Sequence, residues 1–203
     1  MYYNYFKGAK FMKIIYIAMF ILLVLTIALI LKIHNLKNVE YHQPSILTNK
    51  KILTVYFSNS GNTEKVAKII NSVVGGDIKQ IQLKEKYPNN VFQMSKIVKK
   101  QIKEGYLPKT DEIDISNYDV IFAGSPIWNF SASLPFKSFL KSNSFENKIL
   151  IPFFTYSGGA SKKELIKEAE DLTNKKDIIK PLLLFQNGIF LAKEQIIDWL
   201  NKI

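Results

Sequence analysis

The chain has 203 residues, and 47% of them are hydrophobic, which is enough apolar side chain for one domain core and an appendage. It contains no cysteine, which excludes disulfides, thiolate catalysis and cysteine metal sites. Both histidines, His34 and His42, precede the predicted globular part, so we expect neither a histidine metal site nor a Ser–His couple there.

The net charge of +11 comes from scattered lysines, since all 28 basic residues are lysine and no basic run with interleaved aromatic residues occurs. Base readout by arginine is therefore excluded, and we expect no nucleic-acid partner and no metal. A basic surface facing anionic lipid is the simpler interpretation of the charge.

An apolar stretch near the N-terminus, Ile14–Leu31, has 18 residues without a charge and is flanked by lysines. A helix of that length spans roughly 27 Å, close to the hydrocarbon thickness of a bilayer. No small-residue cleavage site follows, so we predict an uncleaved single-pass anchor after a short basic tail, residues 1–13. The alternatives are a cleaved signal peptide and a buried core helix. Translation could start at Met1 or at Met12.

Lysines are slightly more numerous before this stretch than after it, which favours a domain on the outer face of the cell membrane over a cytoplasmic one. Residues 32–50 are polar, contain Pro44 and show no periodicity. They are predicted to form a tether with a root-mean-square reach of roughly 25 Å. The folded domain is then predicted to span residues 51–203.

The first element of this domain is a predicted buried strand, Ile52–Phe57, rich in β-branched and aromatic residues. Ser58 to Asn62 can turn tightly, with Gly61 free to take a positive φ. A helix follows at once and ends at Gly75-Gly76. Backbone N–H groups and hydroxyls at a helix N-terminus attract phosphate. The alternative is that these polar residues only cap the helix.

Strands and helices alternate over the rest of the chain. The further predicted strands are Asp77–Leu83, Asp119–Gly124, Lys148–Thr155 and Ile178–Phe185. The further predicted helices are Val91–Glu104, Leu134–Leu140, Ser161–Leu172 and Ile189–Ile203. On the first of these helices, the residues predicted to face inward are Phe92, Ile97, Val98 and Ile102. This alternation predicts an α/β fold with a parallel sheet of five strands and helices on both faces.

Ligands bind such sheets at the carboxyl ends of the strands, and three loops leave those ends here. They contain Ser58–Thr63, Gly124–Phe130 and Thr155–Gly159. Trp128 in the second loop is costly to expose unless it covers something flat, although it could instead pack on its own domain. Beside a phosphate-type loop, the better interpretation is a planar phosphorylated cofactor.

Residues 51–203 resemble a flavodoxin-type FMN-binding domain, in the short single-domain branch of that family. The matching motifs are Ser58-Asn59-Ser60-Gly61-Asn62-Thr63, Tyr118-Asp119 ahead of Gly124-Ser125-Pro126-Ile127-Trp128, and Thr155-Tyr156-Ser157-Gly158-Gly159. The resemblance implies a flavodoxin-like doubly wound sheet with strand order 2-1-3-4-5 and FMN as the cofactor.

The resemblance also implies roles for individual residues. Ser58, Ser60, Asn62 and Thr63 would hold the FMN phosphate, and Trp128 would stack on or flank the ring system. Backbone groups of the second and third loops would contact the polar edges of the ring. The whole implied set of cofactor-binding residues is Ser58, Asn59, Ser60, Gly61, Asn62, Thr63, Ser125, Pro126, Ile127, Trp128, Asn129, Phe130, Thr155, Tyr156, Ser157, Gly158 and Gly159. No catalytic side chain is implied.

Two departures from the family pattern bear on function, namely the predicted anchor and an excess of lysines over acidic residues in the domain. Soluble flavodoxins that shuttle electrons are typically acidic and free. The leading hypothesis is a membrane-tethered FMN protein that transfers electrons between unidentified redox partners. The first alternative is an FMN-dependent reductase or dehydrogenase acting on a quinone or another lipid-soluble acceptor. The second is a non-redox binding module that has lost flavin.

Overall fold

The computed structural model describes residues 2–37, 39–88, 90–159, 161–186 and 192–203. These residues form two separate units, Met1–Glu40 and Tyr41–Ile203. The N-terminal unit is one helix, α1 (Tyr2–Lys37). Its stretch Met12–Leu31 is long and apolar enough to cross a membrane, and this stretch contains the predicted segment Ile14–Leu31.

The C-terminal unit is built from strands and helices in alternation. Its strands are β1 (Ile52–Tyr56), β2 (Asp77–Gln80), β3 (Val120–Trp128), β4 (Ser131–Ala132), β5 (Ile149–Tyr156) and β6 (Leu182–Phe185). Its α-helices are α2 (Asn62–Val74), α3 (Val91–Lys103), α4 (Leu134–Ser142), α5 (Lys162–Thr173) and α6 (Ala192–Leu200). A short 3-10 helix, Ser45–Leu47, precedes β1.

Five of the strands pair in parallel in the spatial order β2-β1-β3-β5-β6. When these five are numbered by themselves, the order is the predicted 2-1-3-4-5. The two-residue strand β4 is an addition that was not predicted, and it pairs antiparallel with the end of β3. The predicted parallel α/β fold is confirmed.

Helices cover both faces of the sheet, as the fold class requires. On one face, α2 and α6 pack over Tyr56, Phe122 and Phe153. On the other face, α3, α4 and α5 bury Phe136, Phe154 and their neighbours. The central strands β1, β3 and β5 thus send side chains into two different cores, which is why they read as continuous apolar runs.

Strand β3 is longer than predicted, because Gly124 does not end it. Its pairing with β5 continues to Pro126 opposite Thr155, and Trp128 then pairs with Ser131 of β4. Much of the predicted second loop is therefore strand. Strand β6, in contrast, is shorter than predicted, because it begins at Leu182 and not at Ile178. Pro181 immediately before it has no N–H to donate to a ladder.

The inward face predicted for α3 is wrong for Phe92, which is 80% exposed, whereas Val98 is buried as predicted. Ile97 and Ile102 are also exposed. Phe92 lies in the first turn, where the Asn90 side chain accepts hydrogen bonds from the backbone of the helix start. For the last predicted helix, the described part is Ala192–Leu200, and residues 189–191 lie outside the described residues.

The compact C-terminal unit begins at Tyr41, ahead of β1, and so includes the last part of the polar segment. Leu47 is 1% exposed and packs in the core beneath α2 and α6. The His42 N–H donates to Asn201 Oδ1 at 2.9 Å, just beyond the end of α6. Periodicity could not reveal this, since one buried leucine in a polar stretch makes no pattern.

Candidate functional site

A cleft of about 460 Å³ opens at the carboxyl ends of the parallel strands, with α3 as one wall. Its volume lies in the range of small-molecule sites, and its position is the one at which doubly wound sheets bind ligands. The residues lining it are Asn59, Ser60, Asn62, Val91, Met94, Ser95, Val98, Lys99, Pro126, Ile127, Trp128, Asn129, Thr155, Tyr156, Ser157 and Gln186.

The loop after β1 brings a helix N-terminus to this cleft. Gly61 has a φ of 86°, in the left-handed region, and α2 begins at the next residue. The Gly61 N–H donates to Ser58 Oγ at 3.1 Å, which closes the turn, while Ser60 and Asn62 line the cleft. Gly61 has no side chain with which to cap α2, so the first-turn N–H groups can meet an anion.

Thr63 is 1% exposed and does not line the cleft. Its hydroxyl lies 2.8 Å from the hydroxyl of Thr155, which does line the cleft. This buried pair joins the start of α2 to the end of β5. The first and third predicted loops are therefore held together directly beneath the site.

The second predicted loop is organised by a buried serine pair. Ser125 Oγ and Ser133 Oγ lie 2.9 Å apart, and the Ser133 N–H also donates to Ser125 Oγ at 2.9 Å. Ser125 is fully buried and faces this pair instead of the cleft. Its polar atoms are satisfied within the protein, which gives it a structural role that the sequence motif does not reveal.

Trp128 combines the two interpretations that its sequence position left open. It lines the cleft, and it also packs edge-on against Phe57 and Tyr87, with ring centroids 5.4 and 5.1 Å away. Tyr87 donates its hydroxyl to Gln101 Oε1 at 2.6 Å, and burial raises the pKa of Tyr87 to about 12. The two aromatic contacts fix the tryptophan ring at the cleft wall.

The third loop supplies Thr155, Tyr156 and Ser157 to the cleft, and the Tyr156 ring packs edge-on against Phe185. Gly158 and Gly159 do not line it. A Cβ atom placed on Gly159 would lie 3.4 Å from Phe130 Cε1, so the Phe130 ring sits close over that glycine. Among the predicted site residues, those outside the cleft lining are Ser58, Gly61, Thr63, Ser125, Phe130, Gly158 and Gly159.

The α3 wall was not predicted. Four of its cleft-lining residues, Val91, Met94, Ser95 and Val98, follow the i, i+3, i+4, i+7 spacing of one helix face. That face was present in the sequence, but the bulkier Phe92 and Ile97 drew the prediction to a neighbouring face. Gln186, also missed, follows β6, and its Oε1 accepts from Asn62 Nδ2 at 3.3 Å across the cleft.

Within the described part of the chain, Lys99 is the only charged side chain that lines the cleft. The remaining lining is neutral, with hydroxyl, amide and aromatic groups set among apolar side chains. Such a site suits a planar, largely neutral molecule that carries an anionic group towards the start of α2.

Fold and site together define a class: a doubly wound α/β domain with a ligand cleft formed by three strand-end loops and served by a helix N-terminus. Comparison with family models matches residues 51–203 to the flavodoxin family. The chain therefore belongs to the flavodoxin family, and the resemblance seen in the motifs is confirmed. A comparison with curated proteins finds no match.

Several solved structures are similar to this chain. One is the crystal structure of a flavoprotein from Bacteroides eggerthii DSM 20697, which is 27% identical with a TM-score of 0.60. The match covers 76% of this chain and 98% of the Bacteroides chain. Another is the flavoprotein from Lactobacillus acidophilus NCFM in complex with FMN, which is 27% identical with a TM-score of 0.53. The match covers 67% of this chain and 91% of the Lactobacillus chain.

Proposed function

We propose that the domain binds FMN in this cleft and acts as a membrane-tethered redox protein that transfers electrons. The observation that carries the proposal is the convergence of three loops and the α2 N-terminus on one cleft. The cofactor comes from the family and from the FMN complex of the Lactobacillus relative.

The residues present fit FMN. Ser60 and Asn62, with the first-turn N–H groups of α2, form an anion site suited to a single phosphate. Trp128 and Tyr156 offer aromatic surface for a planar ring. When bound, FMN supplies the redox chemistry, and the protein binds it, orients it and sets its electrostatic surroundings. No side chain is required as an acid or base for that role.

The membrane part of the proposal rests on Met12–Leu31, which is long and apolar enough to span a bilayer. We infer that the domain stays at the membrane and exchanges electrons with redox partner proteins. The lysine distribution around the span favours the outer face.

The same span favours a second candidate, an FMN-dependent reductase acting on a quinone or another lipid-soluble acceptor. Tethering raises the effective concentration of the site near a substrate that dissolves in the bilayer. Steady turnover with a water-soluble quinone analogue and a nicotinamide donor would favour this candidate over simple electron transfer.

The decisive experiment is purification of the full-length chain in mild detergent, followed by a visible spectrum and a titration with FMN. We expect a yellow protein that releases FMN and not FAD on denaturation, because the cleft offers one phosphate-sized anion site. A colourless protein that fails to take up added FMN would refute the proposal.

The same titration locates the phosphate. Ser60→Ala should weaken FMN binding more than riboflavin binding, since a hydrogen bond to a charged group contributes roughly 1.5–3 kcal/mol. Ser72→Ala, at an exposed position near the far end of α2, is the control and should change the affinity for neither ligand. Equal weakening of both ligands by Ser60→Ala would place the phosphate elsewhere.

A further inference from the structure

Glu168, on α5, makes contacts that neither the motifs nor the proposed function account for. Its carboxylate accepts from Ser131 Oγ at 2.6 Å and from the Ala132 N–H at 3.0 Å, and it forms an ion pair with Lys137. The side chains of Glu168 and Lys137 are only 25% and 16% exposed. Such partly buried, charge-assisted contacts are stronger than those of an exposed pair.

Both hydrogen bonds go to β4, the short arm of the hairpin that carries Trp128 and Asn129 to the cleft. The turn of that hairpin consists of Asn129 and Phe130, and both have positive φ, at 51° and 66°. Two-residue hairpin turns with this backbone strongly prefer glycine at the second position. An asparagine tolerates the left-handed region, but a phenylalanine there is strained.

A two-residue strand closed by a strained turn has little stability of its own. The buried Ser125–Ser133 pair holds the base of the hairpin. Glu168 adds two hydrogen bonds to β4 itself and a charge from the neighbouring helix. Glu168 itself does not line the cleft. Its effect on the site must pass through the hairpin.

We propose that Glu168 is a positioning residue that holds the Asn129-Phe130 turn, and with it Trp128 and Asn129, in place before the flavin binds. This inference rests on the proposed function, because it concerns the flavin site. It explains how a strained aromatic residue is retained at the edge of the cleft: α5 holds the hairpin in a shape that its own turn does not favour.

The test compares FMN and riboflavin binding to full-length protein in detergent, with Glu168→Ala and Glu168→Gln. We expect both ligands to bind about tenfold more weakly to Glu168→Ala, with a lower association rate, because both hydrogen bonds to β4 are lost and part of that cost reaches the cleft through the hairpin. Glu168→Gln, which keeps one carbonyl acceptor, should be affected less. The control is Glu164→Gln, an exposed position one turn earlier on α5, which should bind like the wild type.

A merely structural role is excluded by a double-mutant cycle with Phe130→Gly. An Asn-Gly turn adopts the required backbone without help, so Glu168→Ala should cost clearly less affinity in the Phe130→Gly background than in the wild type. Equal losses in both backgrounds, or unchanged binding in Glu168→Ala, would overturn the inference. If the wild type itself binds no FMN, the proposed function fails first; normal wild-type binding with unaffected variants refutes only the role of Glu168.

Discussion

Trp128 contacts both the cleft and the hydrophobic core, and Tyr87 is one of its core contacts. One side of the Trp128 ring lines the cleft, and the ring also makes an edge-on contact with Tyr87. Tyr87 lies between β2 and α3, outside all three strand-end loops. The connection arises from packing between segments about 40 residues apart, which no local pattern records.

The pKa of Tyr87 predicts a pH dependence of stability. Burial raises it from 10.0 to about 12, because the folded protein favours the neutral phenol. The associated stability is fully present below pH 10 and is lost as pH rises from 10 towards 12. Two pKa units correspond to roughly 2–3 kcal/mol of unfolding free energy. Urea unfolding of the full-length protein across pH 9–12 measures this loss of unfolding free energy.

Other tyrosines with raised pKa values, such as Tyr56 and Tyr118, add to the same decline. The Tyr87→Phe variant isolates the contribution of Tyr87, since it should lose less stability over this pH interval than the wild type. Parallel pH curves for the two proteins would show that Tyr87 ionises at an ordinary pKa. The absolute offset between the curves reports the lost hydrogen bond to Gln101 and does not affect the comparison.

At the scale of elements, hydrophobic patterning was sufficient for the parallel strands and their helices. β1, for example, reads as an unbroken apolar run because both of its faces are covered. Patterning failed for β4, where two residues and a turn without glycine give no strand or hairpin signal. It also misassigned the inward face of α3, because the sequence pattern counts Phe92 as apolar whether its side chain is buried or exposed.

The segment Tyr41–Leu47 lies within the predicted tether, and in the structure it is part of the compact C-terminal unit. We predict that Leu47→Ala lowers the unfolding free energy by about 2–5 kcal/mol, the usual range for a buried leucine. Ser45→Ala, in the same 3-10 turn and exposed, is the matched control and should change stability by less than about 0.5 kcal/mol.

Urea unfolding followed through tryptophan fluorescence measures both variants, since Trp199 packs in the same core as Leu47. If Leu47→Ala unfolds at the wild-type urea concentration, the segment is an unattached tether as first predicted. A large effect would instead confirm that the folded unit begins before β1.

At the scale of the whole molecule, the sequence identified the apolar stretch and the family from continuous runs and ordered motifs. Those are the features least dependent on tertiary contacts. What it could not supply is which residues of those motifs face the cleft. Ser125 and Ser60 both lie in the matching motifs. The Ser125 hydroxyl is hydrogen-bonded to Ser133, however, whereas Ser60 lines the cleft.

The proposed anchor predicts that the full-length chain remains in the membrane fraction after washing with high salt and with carbonate. Placing lysines at Leu22 and Val24, in the middle of the stretch, should release it, because each costs about 2.5–3.5 kcal/mol at the centre of a membrane helix. The matched control replaces the same two residues with alanine. Soluble wild-type protein, or a mature N-terminus after Leu31, would contradict the anchor.

The docking of Tyr41–Leu47 finally determines where a protease could free the domain without harming it. A cut between Lys37 and Tyr41 would leave Leu47 seated beneath α2 and α6, and it would preserve the bond from His42 to Asn201. A cut after Leu47 would remove a buried side chain together with that bond, and would release a weakened domain. The packing of Leu47 and the bond of His42 therefore survive a cut before Tyr41 and are lost with a cut after Leu47, although both cuts lie in the same polar segment.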